Sequence, residues 1–93
     1  MITTVKNIRS DRSCDVYIGR PSKWGNPFEI GKDGTRAEVI EKYRAWILTQ
    51  PNLLSDLGEL KGKILGCWCS PLPCHGDVLI ELINKDRLKV VEF

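Results

Sequence analysis

Apolar and polar positions change their spacing repeatedly along the chain, and each change marks an element. From Ile2 to Ile8 (ITTVKNI) β-branched residues alternate with polar ones, which predicts a first strand. A polar break over Arg9–Cys14 follows. Asp15 to Gly19 (DVYIG) then predicts a short second strand, with Val16 and Ile18 on one face and Tyr17 on the other. The separation suits an antiparallel hairpin with a longer loop. From Arg20 to Thr35 (RPSKWGNPFEIGKDGT) no period survives, and Gly25-Asn26-Pro27 is turn chemistry. Long loops in small proteins are usually functional or disordered, and Trp24 and Phe28 argue for an ordered, packed one.

Thr35 and Glu38 stand three apart ahead of an apolar stripe, the signature of a capping box. The helix they open runs to about Thr49, with Val39, Ile40, Tyr43, Trp46 and Ile47 on its core face. Pro51 is expected to stop it. Asn52 to Leu60 reads as a short second helix or turn. Lys63 to Cys69 (KILGCWC) has the near-continuous apolar run of a strand buried on both faces. Gly76 to Asn84 predicts the last helix, with Val78, Leu79, Leu82 and Ile83 inward, and Leu88 to Phe93 predicts a closing strand. The order ββαα-βαβ points to a small single-domain α/β sandwich with a mixed sheet. Within it, residues 63–84 form a Rossmann-like strand–loop–helix.

Composition sharpens this picture only slightly. Ninety-three residues at 42% hydrophobic and 28% charged describe an ordinary globular sequence of one domain. A net charge of +2 is too small to predict nucleic-acid binding, and does not rule it out. No apolar run is long enough to span a bilayer, and the N-terminus lacks a secretion signal, so no membrane association and a cytoplasmic location are expected. The four cysteines are accordingly read as reduced thiols. Cys67 and Cys69 are expected on opposite faces, which argues against a bridge between them.

The chemistry concentrates where the last strand meets the last helix. Cys67, Cys69, Cys74 and His75 have the ligand types of a zinc site, but their C-x-C-x4-C-H spacing is unusual, and no metal is favoured. Pro73-Cys74-His75-Gly76-Asp77 opens a helix whose first amides carry partial positive charge, a place that suits an anion. There Gly76 permits close approach, and His75 can donate or exchange a proton. Cys74 is expected to have a lowered pKa, as a nucleophile would. Across from it, Arg20, Trp24, Asn26 and Arg36 are residue types that clamp phosphate and stack on a base or sugar. For Phe28, hydrophobic cover is at least as good a reading.

The blocks YIGRPSKWGNPF, GTRAEVIEKYRAWI and LKGKILGCWCSPLPCHGDVLIELI resemble an uncharacterised family of small α/β proteins of bacteria and phages. The resemblance covers Val5 to Asn84. It implies a stand-alone domain without an established activity, and its phage occurrence suggests nucleotide handling or interference with nucleotide-based host defence. A weaker likeness is to proteins in which an Arg follows the Cys-His pair; Gly76 stands there instead.

Three readings follow from the residues. The favoured one is a binding domain for a nucleotide- or ADP-ribose-like phosphate ligand, held by Arg20, Trp24, Asn26, Arg36, Cys69, His75, Gly76 and Asp77. A second is an enzyme acting on a nucleoside or nucleotide, with Cys69 or Cys74 as nucleophile and His75 or Asp77 as acid–base group. A third is an interaction protein stabilised by zinc on Cys67, Cys69, Cys74 and His75. A homodimer is compatible with all three.

Overall fold

The computed structural model describes residues 2–69 and 72–91, and side chains as far as residue 85. It is an α/β structure, as the alternating patterns predict. Its strands are β1 (Thr4–Asn7), β2 (Val16–Tyr17) and β3 (Ile64–Cys67). Its helices are α1 (Arg36–Ile47), α2 (Pro51–Asp56), which runs into a 3₁₀ turn at Leu57–Leu60, and α3 (His75–Val91).

The sheet departs from the sequence expectation in its pairing. β1 and β2 form no hairpin; both pair in parallel with β3, which lies between them in the order β1-β3-β2. Hence the sheet is parallel throughout rather than mixed. Physically, β3 is the most apolar of the strands, and the central place gives it two neighbours to bury it. Among the described residues the predicted closing strand is absent as well. α3 continues through Leu88 to Val91, because no glycine or proline interrupts the run after Gly76. The final two residues lie outside the described residues.

Alternation along β3 sorts its faces. Leu65 and Cys67 are buried toward the helices, in one core with Tyr43 and Ile47 of α1 and Val78, Leu79 and Ile83 of α3. Ile64 is 41% exposed on the other face, so burial on both sides begins only past the first residue of β3. That second face is closed at Gly66 by Ile8 and Cys14, which stand where a side chain on Gly66 would go. Tyr17 and Trp68 meet edge-on, with the indole N–H donating to the Tyr17 hydroxyl.

Pro51 does not simply end α1. That helix ends at Ile47, and Pro51 is the first residue of α2, where its missing N–H costs nothing. Thr3 pins the start of the sheet: its hydroxyl donates to the Leu60 carbonyl and accepts from the Gly62 amide. Among the described residues no helix is long and apolar enough to cross a membrane.

Candidate functional site

A cavity of about 420 Å³ opens just beyond the carboxyl ends of β2 and β3. Parallel α/β sheets characteristically place their ligands in this position. Gly19 and Arg20 line it from the end of β2, and Cys67, Trp68 and Cys69 from the end of β3. The remaining wall comes from the loop (Asn26, Phe28, Glu29, Ile30) and from the first turns of α1 and α3, including Arg36, Cys74 and His75. The two stretches singled out in the sequence therefore face one another across a single cavity. Its volume lies at the lower end of the ~300–1,000 Å³ usual for small-molecule sites.

Each predicted residue has a definite place. Arg20 stands at the mouth, 57% exposed, in an ion pair with Glu29 at 3.0 Å. Arg36 is the first residue of α1, and its guanidinium donates to the Pro73 carbonyl at 3.2 Å, tying that helix to the loop ahead of α3. Asn26 lines the wall, but its polar atoms are engaged internally: Nδ2 donates to the Val39 carbonyl, and Oδ1 accepts from the Phe28 amide. It holds the loop against α1.

Trp24 is elsewhere. It is 2% exposed, belongs to the hydrophobic core, and does not line the cavity. Its carbonyl accepts the Tyr43 hydroxyl at 2.8 Å, an internal bond that anchors the loop. The aromatic side chain that the loop gives to the cavity is Phe28. Proximity in sequence could not separate these two roles; only burial does.

The start of α3 is more self-contained than its sequence suggested. The Asp77 carboxylate accepts from the Cys74 amide at 3.1 Å, and the Asp77 amide donates to the Cys74 carbonyl at 3.0 Å. The Gly76 amide is directed at the Cys74 sulfur. Gly76 itself is buried, and a Cβ there would lie 2.9 Å from both Val5 and Ile18. Its smallness serves close packing of helix on sheet rather than approach of a ligand. Neither Gly76 nor Asp77 lines the cavity.

His75 is the buried polar group of the site. Its Nε2 lies 2.7 Å from the Ile18 carbonyl, and its ring packs edge-on against Tyr43. A carbonyl only accepts, so Nε2 carries hydrogen, and in the neutral ring Nδ1 is left as an acceptor. Burial lowers the pKa below the usual histidine value; the Arg20 charge lowers it too, while the Ile18 carbonyl and Asp77 act in the opposite direction. The ring is therefore neutral at pH 7.

Cys74 behaves contrary to the sequence expectation. Burial, reinforced by the neighbouring Cys67, pushes its thiol up to about 12 despite the helix start and the Gly76 amide. A thiol so held is a poor nucleophile at neutral pH. Its sulfur lies 3.7 Å from that of Cys67. A two-residue step along a strand returns to the same face, and Cys67 and Cys69 do both line the cavity, so the expected opposite orientation does not hold. No group of three or more His, Cys, Asp or Glu side chains among the described residues is arranged to hold a metal.

Comparison with known proteins agrees with the motif blocks. The chain is 38% identical over 102 residues to an uncharacterised protein of Acanthamoeba polyphaga mimivirus, covering 88% of this chain and 78% of that one. It is 37% identical over 86 residues to an uncharacterised 12.4 kDa protein of the nrdA-td intergenic region of Enterobacteria phage T4, covering 87% and 76%. No solved structure matches. The family model described as a domain of unknown function, DUF4326, matches residues 3–85, and the chain belongs to that family.

Proposed function

We propose that the protein binds a small phosphate-bearing ligand of the nucleotide class in the cavity at the carboxyl ends of β2 and β3. The observation that carries this reading is the pairing of two guanidinium groups, Arg20 and Arg36, with a concave site at that end of a parallel sheet. Phe28 supplies a face for a ring, and neutral His75 and half-buried Cys69 add polar atoms to the lining. The first turns of α1 and α3 both border the site, so their positive ends add to the attraction for an anion. Glu29 opposes it: a phosphate must compete with this carboxylate for Arg20. The viral origin of both relatives fits nucleotide handling or the countering of nucleotide-based host defence.

Isothermal titration with AMP, GMP, ADP-ribose and NAD tests the reading. At least one should bind, and Arg20→Ala and Arg36→Ala should each weaken it about tenfold or more, as loss of a charge-assisted contact does. If all four fail to bind, or both variants bind like the parent chain, the reading is wrong. A turnover reading has narrower support, resting on a neutral His75, with Nδ1 as acceptor, lining the same cavity as Cys69. Incubation of the same ligands with the parent chain and with Cys69→Ser, followed by chromatography of products, decides it.

A further inference from the structure

Cys67 ends β3, and Cys74 immediately precedes α3, so the two thiols face each other at the base of the strand–loop–helix. Their sulfurs are 3.7 Å apart. Burial of both side chains fixes the pairing: Cys67 is 1% exposed and Cys74 3%. Gly76 fixes it further. Its lack of a side chain seats the start of α3 directly on Val5 and Ile18, which carries Cys74 down to the level of Cys67. Although buried from bulk solvent, both residues line the cavity, which gives a small reagent a route to them.

We infer that Cys67 and Cys74 form a dithiol modification site in the cavity wall, which a peroxide-class oxidant closes to an intramolecular disulfide. The chemistry balances with hydrogen peroxide alone. One thiol takes an oxygen from peroxide, forming a sulfenic acid and releasing water. The other thiol then attacks that sulfur, forming the S–S bond and releasing a second water. Two electrons pass from the thiols to the peroxide, and both thiol hydrogens leave in the waters. Closure shortens the sulfur separation from 3.7 Å to about 2.05 Å. The movement falls on the two chain ends that flank the wall residues Trp68, Cys69 and Pro73, so oxidation reshapes the cavity from within. With the Cys74 thiol held up by burial, the reaction is slow at neutral pH and quickens as pH rises. None of this depends on what the cavity binds.

The test is peroxide treatment of the folded chain at pH 8, alkylation of remaining thiols with iodoacetamide, and peptide mapping without reduction. The expected result is one linkage, Cys67 to Cys74, in most chains, with Cys14 and Cys69 alkylated and the linkage reversed by dithiothreitol. Cys69→Ser, a change at a half-buried position, should form the same linkage to the same extent. Recovery of alkylated Cys67 and Cys74 from samples in which Cys69 has been oxidised overturns the inference. So does a linkage that runs through Cys69 or Cys14, or one that disappears in Cys69→Ser.

Discussion

The starts of α1 and α3 are built on one plan and differ most in burial. In each, the first residue of the helix, Arg36 or His75, lines the cavity, and an acidic residue two places on reaches back to cap the chain. At α1 the cap is the conventional one: the Glu38 amide donates to the Thr35 hydroxyl, and the Thr35 amide donates to the Glu38 carboxylate. At α3 a cysteine stands in the hydroxyl's place, and Asp77 replaces the glutamate. The first cap is exposed, while the second is buried except for the aspartate. Between them, Ala37 is exposed on α1, and its counterpart Gly76 is packed against the sheet. Position on the sheet, rather than capping itself, therefore decides what each helix start presents. The α1 start gives the cavity a half-buried cation held to the Pro73 carbonyl, and the α3 start gives it a buried, neutral ring.

The comparison breaks most sharply at the second helical position. Gly76→Val places branched carbons against Val5 and Ile18 and should cost about 3 kcal/mol in urea unfolding, whereas Ala37→Val should cost about 0.5 kcal/mol. Equal losses would mean that α3 is not seated on the sheet as described. Next comes the cap. Asp77→Ala leaves a part-buried amide without its acceptor and should cost about 1.5 kcal/mol, against about 1 kcal/mol for Thr35→Ala. A larger loss at Thr35 would reverse the ranking.

The neutral ring has a pH signature. His75 is held below its ordinary value when folded, so on acidification the unfolded chain takes up this proton first, through about pH 6.5. Stability from this group is thus full above that pH, falls as pH drops from 7.5 toward 5.5, and levels off once the folded ring is protonated too. His75→Gln should remove that part of the slope in urea midpoints measured across this range. An unchanged slope would place the titration elsewhere. The smallest effect concerns the cation at the mouth: Glu29→Gln frees Arg20 and should tighten binding of a phosphate-bearing ligand by about threefold. Weaker binding would assign Glu29 to the ligand instead.

Sequence reasoning located both halves of the cavity because the signals there are local. Thr35 and Glu38 announce a helix start by spacing, and the run from Lys63 through Asp77 announces strand, loop and helix. What it misjudged depends on neighbours distant in the chain. Trp24 resembles a stacking residue until its side chain is seen to be buried in the core with Tyr43, far along the sequence. Gly76 resembles an opening for a ligand until Val5 and Ile18 are seen to fill the space. Cys74 has the helix start that lowers a thiol's pKa, but burial beside Cys67 is the stronger effect. Phe28 carried no signal beyond its loop, and the parallel pairing of β1 and β2 with β3 could not be inferred from strands so short. The closing strand failed for a different reason: Leu88–Val91 suits either structure by composition, and continuity with α3 decides.

The central place of β3 also orders events in time. Every rung of the sheet joins a residue near the beginning of the chain to one far along it, as Thr4 with Ile64 and Val16 with Leu65. A chain growing from its N-terminus therefore carries β1 and β2 as partnerless segments until β3 has been made, and no sheet nucleus exists before then. Contacts so distant in sequence form slowly. Throughout that interval the nascent chain carries two unpaired strand segments, so the opportunity for mispairing is greatest before β3 emerges.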